Sequence, residues 1–218
     1  MELTKEQIQY IDRRLENEGV KYWDLRLEMI DHIVSDVELN SKTNNFKKEL
    51  NNTLKRIGWS GNLSSVNREG WQNVNREYRR EYHKGFVSFF KKGINLTILL
   101  ISMFLFYLIS EKISFKNFER LSFTIFALPI IFIIYLGIKT SIKKYGRSIN
   151  LDYGFTYLIM SFLILNAIPS FFNEQTESIP KLIWFILIPI HLIFTFSGYK
   201  VYRKAISRVE KIRKELQL

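Results

Sequence analysis

The chain has 218 residues, a formal net charge of +11, 47% hydrophobic and 15% aromatic residues, and no cysteine. The lack of thiols excludes disulfides, thiolate metal sites, thiol nucleophiles, S-palmitoylation and a lipoprotein anchor. The averages hide two unlike parts: residues 1–92 are polar and charged, whereas 93–199 are mostly apolar with their charges gathered in three short gaps.

The first residues, "MELTKEQIQYIDRRLENEG", have no apolar run behind a basic start, so no signal peptide is expected. Thr4 with Gln7 three residues later predicts a capping box. Ile8, Ile11 and Leu15 then keep the helical period, and Gly19 stops it. A second helix is predicted from about residue 22 to 39. Its apolar positions, Leu25, Met29, Ile30, Ile33, Val34 and Val37, cover a wide arc, which suits the middle member of three packed helices. A third helix carries Phe46, Leu50, Leu54 and Ile57 at helical spacing and closes at Gly58. Residues 1–66 therefore read as a small cytoplasmic three-helix domain, and about sixty residues suffice for independent folding.

Within the second helix, "EMIDHIVSD" places Glu28, His32 and Asp36 in one row. A metal ion needs at least three rigidly held ligands with a second shell, and one helix presents only two cleanly. No other histidine lies in this domain, so neither metal nor cofactor is expected. Glu28 and Asp36 instead stand at ion-pair reach from a charged His32 imidazole. Asp24, Glu28, Asp31, His32 and Glu38 form an acidic face on an otherwise basic chain, a candidate docking surface for a cytoplasmic protein partner.

"LRLEMIDHIVSDVE" followed by "FKKELNNTLKRIGW" resembles the helical prefix domains found ahead of bacterial permeases and some membrane-bound regulators. Those domains carry a Glu-x-x-Asp-His-apolar helix and a later helix ending in apolar-Gly. The matching residues are Glu28, Asp31, His32, Ile33, Leu54, Ile57 and Gly58, within about residues 4–63. After the glycine, the family usually has an acidic residue and often a proline; this chain has "WSGN". The resemblance implies a helical domain attached to a membrane protein and carries no catalytic role.

Residues 67–92 predict a basic amphipathic juxtamembrane helix. Trp71, Val74, Tyr78, Tyr82, Phe86 and Phe89 make one stripe, and Arg79, Arg80, Lys84, Lys91 and Lys92 are candidate contacts to lipid headgroups. The segment can lie on the anionic leaflet, relay motion, or simply pack on the soluble domain. Nucleic acid is not the expected partner, because the charge gathers where membrane orientation requires it.

Four uncharged runs follow, 93–110, 121–138, 153–173 and 182–199. At ~1.5 Å per residue each spans roughly 27–32 Å, about the thickness of the bilayer's hydrocarbon. The expected fold is thus all-α: the three-helix domain, the linker helix, a four-helix transmembrane bundle over 93–199, and a basic cytoplasmic tail over 200–218. Residues 76–92, the second loop and the tail hold 17 Lys and Arg, against 4 in the first and third loops. This asymmetry places both termini in the cytoplasm. The abundance of Ile, Lys, Asn and Phe points to an AT-rich bacterial genome, and hence to a multi-pass protein of the bacterial inner membrane.

Inside the spans, His191 sits mid-helix and Asn166 lies toward the outer side, a candidate polar pair. A neutral histidine in an interhelical hydrogen bond is the plainer alternative. The spans hold no Asp, Glu, Lys or Arg to complete a proton relay, and no GxSxG, HExxH, Walker A, GxGxxG or DFG pattern occurs. No catalytic residue is expected. The sequence reads as a non-enzymatic membrane protein of regulatory or partner-docking type, with an accessory permease subunit or small transporter as the alternative.

Overall fold

The computed structural model describes residues 2–61, 63–166 (side chains to 162) and 181–216. Its regular structure among these residues is entirely helical: α1 (Lys5–Asn17), α2 (Trp23–Asn40), α3 (Phe46–Arg56), α4 (Ser64–Lys91), α5 (Gly93–Lys112), α6 (Phe115–Ile142), α7 (Ile149–Asn166) and α8 (Lys181–Glu215). The chain divides into two compact units. One comprises Met1–Arg76 with Tyr145–Leu151, the other Glu77–Lys144 with Asp152–Leu218. The division falls inside α4 and inside α7.

In the first unit, α2 packs against both α1 and α3. The capping box forms: Thr4 N–H donates to Gln7 Oε1 at 2.9 Å and Gln7 N–H to Thr4 Oγ1 at 3.4 Å. Gly19 (φ 101°) and Gly58 (φ 75°) end α1 and α3. Ile11, Leu15, Leu25, Met29, Ile33, Val37, Leu50 and Leu54 fill the core. Removing such side chains from water contributes about 1.5–3 kcal/mol each before chain entropy is charged against it. Buried Arg26 ties α2 to α1 through Asp12 (2.6 Å), Glu16 (3.4 Å) and the Val20 carbonyl (3.1 Å). The start of α4 closes on α2, with Gly70 against Leu25 and Trp71 edge-on to Tyr22 at 5.5 Å.

In the second unit, α5, α6 and α8 pack pairwise. Phe106, Phe118, Trp184 and Ile188 make one core cluster, and Ile133, Leu136, Leu158 and Tyr202 another. Side chains facing outward are equally apolar: Ile98, Leu100, Ile101, Phe104 and Leu105 on α5, and Ile131, Ile134, Tyr135 and Ile138 on α6, are all more than half exposed. A contiguous apolar exterior of this kind suits hydrocarbon rather than water. Among the described residues, three helices, α5, α6 and α8, are long and apolar enough to cross a membrane. The run at 153–173 enters α7, and its residues beyond 166 lie outside the described set.

Two sequence expectations are revised, and one left open is filled in. The charged stretch 111–120 is not a loop, because α5 and α6 run through it and only Ile113 and Ser114 join them. Charges end a hydropathy run but not a helix, and neither Pro nor Gly interrupts here. Residues 200–215, read as a tail, continue α8. The linker stripe packs on α8: Tyr82 stacks on Phe194 (6.1 Å, 1°), Phe86 on Phe194 (5.3 Å) and Phe89 edge-on to Phe196 (5.3 Å). Glu77 pairs with Lys204 (3.2 Å) and Arg208 (2.9 Å) across the same two helices. Burial works against the Glu77 charge, but hydrogen bonds from Lys204 and Arg208 and their positive charges hold its pKa below the usual carboxylate value.

Candidate functional site

The most tightly built polar site is at the start of α2. Asp24 is 7% exposed. Its carboxylate accepts from Ser148 Oγ (2.6 Å), Ile149 N–H (3.0 Å), Asn150 N–H (3.1 Å) and Asn150 Nδ2 (2.7 Å). Ser148 immediately precedes α7, and Ile149 and Asn150 are its first residues, whose leading N–H groups have no acceptor within the helix. Asp24 therefore caps α7 from a distant part of the chain and sits at the positive end of its dipole. A buried carboxylate is costly unless fully hydrogen-bonded, and four donors from one short segment supply that. Ser148 Oγ meanwhile accepts from Leu151 N–H at 3.3 Å.

The neighbouring residues complete the clamp. Trp23 donates its indole N–H to the Tyr145 carbonyl (3.0 Å) and its backbone N–H to the Arg147 carbonyl (3.2 Å). Gly146 turns the chain at φ 75° against the Trp23 ring. The Arg147 guanidinium lies over the Tyr22 ring at 4.9 Å, a cation–π contact. Residues 145–151 are thus held by three consecutive residues, Tyr22, Trp23 and Asp24.

The proposed acidic face separates accordingly. Asp24 is committed to α7, whereas Glu28, Asp31, His32 and Glu38 are exposed along α2. The row Glu28–His32–Asp36 does not form as ion pairs. Asp36 bonds Arg56 Nη2 (2.6 Å), Arg56 Nε (3.1 Å) and Asn40 (2.8 Å), and His32 sits edge-on to Trp59 at 6.2 Å. The Arg56 hydrogen bonds hold the Asp36 pKa below the usual carboxylate value. A guanidinium reaching across from α3 outcompetes an imidazole on the same helix because it offers two parallel donors. Beside this pair, His32, Asp36, Leu39, Ile57 and Trp59 line an open groove of about 420 Å³.

Arg79, Arg80, Lys84, Lys91 and Lys92 are exposed, with Lys84 also paired to Glu81 at 3.1 Å. His191 is 1% exposed, stacked on Phe126 (4.3 Å) and edge-on to Phe162 (4.9 Å). Its ring nitrogens meet no hydrogen-bond partner among the described residues. The Asn166 side chain lies outside those residues. Further along α8, Thr195 bonds Ser161 (3.1 Å) and Tyr202 bonds Thr140 (2.6 Å). No group of three His, Asp or Glu side chains converges among the described residues.

The Asp24 clamp was not visible from sequence. Asp24 reads as one more acid on a polar helix face, and only "GRSIN", a turn followed by helix-capping residue types, hints that a helix starts there. Comparison with protein-family models, curated proteins and solved structures finds no match. Among the described residues, the regular structure is all helical and includes three helices long and apolar enough to cross a membrane.

Proposed function

We propose that the protein is a non-enzymatic, multi-pass protein of the bacterial inner membrane with four spans and both termini in the cytoplasm. Its helical domain docks a cytoplasmic partner and passes the docked state to the membrane helices. The observation that carries this reading is the Asp24 clamp. The domain that offers the exposed acidic face also holds the first residues of α7. Any shift of α2 therefore displaces the N-terminus of α7, which continues into the third apolar run through its own backbone. Photo-crosslinking from exposed positions of α2 in native membranes tests this. Capture of a defined cytoplasmic protein, lost on deletion of the domain, is the expected result. Topology reporters at residues 115 and 177 should read external and those at 145 and 218 internal; the reverse readout refutes the four-span arrangement.

A second reading, an accessory permease subunit or small transporter, is favoured by His191, whose buried imidazole lacks a partner among the described residues. Intramembrane ionisable groups commonly mark a solute or proton path. That reading requires His191→Ala to abolish uptake of a solute while deletion of the helical domain is tolerated.

A further inference from the structure

The second unit shows where its apolar exterior ends. On α5, α6 and α8 the uncharged runs stop at Lys92, Lys139 and Lys200. These positions lie close in level, because Thr140 bonds Tyr202 (2.6 Å), Lys200 Nζ donates to Ser88 Oγ (2.7 Å), and Lys92 directly follows α4. The last turns of α4 run along this edge: Tyr82 and Phe86 stack on Phe194, and Phe89 meets Phe196. Residues 82–91 therefore sit beside the final turns of the α8 apolar run.

The α8 helix covers only one face of α4. On the opposite face Arg80, Lys84, Val87 and Lys91 stand in line at helical spacing, and all four are exposed. Val87 is 49% and the adjoining Phe90 44% exposed. The Phe90 ring is braced edge-on against Phe86 (5.2 Å) and Phe89 (5.6 Å). Membrane orientation alone asks for the cations, but not for a valine and a phenylalanine held outward between them. Cations with apolar side chains at one level match the boundary between lipid headgroups and acyl chains.

The charge there is strongly positive. Residues 79–92 hold five Lys and Arg against a single acid, Glu81, which is shared by Lys84 (3.1 Å) and Lys204 (3.5 Å). The other acids at this end of the unit are occupied or distant from the line: Glu77 pairs with Lys204 and Arg208, Glu210 with Lys143 and Glu215 with Lys211, and Asp152 stands in the first turn of α7. Arg80, Lys91 and Lys92 enter no ion pair among the described residues.

We infer that this face of α4 binds anionic phospholipids, whose phosphates meet Arg80, Lys84 and Lys91 and whose acyl chains meet Val87 and Phe90. The inference rests on the membrane-spanning reading above and adds the lipid class and the residues that select it.

Because the chain has no cysteine, Val87→Cys and, separately, Ile98→Cys each give one site for a bimane label. Each labelled full chain is placed in phosphatidylcholine nanodiscs containing rising fractions of acyl-brominated phosphatidylglycerol or acyl-brominated phosphatidylcholine. Bromine quenches on contact. At position 87 the anionic lipid should reach half-quenching at an about fivefold lower mole fraction than the zwitterionic one, the factor that one cation contributes at an anionic surface. The change Arg80→Gln, Lys84→Gln, Lys91→Gln should abolish that preference. The change Lys47→Gln, Lys48→Gln, Lys55→Gln, which removes the same charge from exposed positions of the first unit, should leave it. Inorganic phosphate at constant ionic strength should not relieve the quenching. Equal quenching by both lipids, or loss of preference in both triple variants, overturns the inference; relief by phosphate assigns the cations to a free phosphate and overturns it too. Quenching at 98 without quenching at 87 overturns it by leaving this face to a protein partner. Absence of quenching at 98, a position 60% exposed on α5, removes the membrane-spanning reading itself.

Discussion

Replacing Asp24 with alanine should free the segment 145–151. The change leaves Ile149 N–H, Asn150 N–H, Asn150 Nδ2 and Ser148 Oγ without their acceptor. Loss of a helix cap costs up to about 2 kcal/mol, and hydrogen bonds to a charged group are worth about 1.5–3 kcal/mol, with water recovering part of the loss once the segment opens. A net local loss of about 2–3 kcal/mol corresponds to a factor of roughly 30–150 in the opening equilibrium. Hydrogen–deuterium exchange of the full chain in detergent or nanodiscs reads this directly, because the affected donors include two backbone amides. Exchange at 149–150 should accelerate by that factor, whereas amides in the middle of α1 should be unchanged. Asp36→Ala, in the same unit but bonded to Arg56, should leave 149–150 alone. Unaltered protection at 149–150 in Asp24→Ala would refute the clamp and, with it, the mechanical basis of the proposed function.

Three further outcomes are expected. Because the folded Asp36 pKa lies below its unfolded value of 3.8, the stabilisation from the Arg56 pair is complete above that value and disappears as pH falls through the folded one. The solvent-facing pair is worth about 0.5–1 kcal/mol, so acid titrations of wild type and Asp36→Asn followed by circular dichroism should differ near neutrality and converge in strong acid. Gly198→Ala should lower the thermal melting point in detergent, at a cost of about 1–3 kcal/mol. The new Cβ meets the Tyr157 carbonyl oxygen and lies 2.9 Å from Leu158 Cα, both parts of a helix backbone, while Gly93→Ala, with open space at its Cβ, should be near neutral. His191→Phe should be neutral or stabilising, because it replaces a buried polar ring that has no partner among the described residues with an apolar one between Phe126 and Phe162; loss of solute uptake in this variant would instead support the transporter reading.

The sequence by itself carried whatever depends on near neighbours. Thr4 and Gln7 are three residues apart and close a capping box; Gly19 and Gly58 end helices because both adopt positive φ. The apolar runs announced helices α5, α6 and α8 because an uncharged stretch of that length can satisfy its backbone in lipid only as a helix. Only the tertiary structure decided what lies across the gaps. Helical periodicity put Tyr78, Tyr82 and Phe86 on one stripe but left open what would cover it, since any apolar surface, lipid or protein, satisfies an apolar stripe. Asp24 shows the limit most plainly. Its acceptors and charge look the same as those of Glu28 or Asp31 one or two turns later, and its partners lie more than 120 residues further along the chain. A carboxylate's role is set by which donors reach it after packing, and no local pattern of residues encodes that.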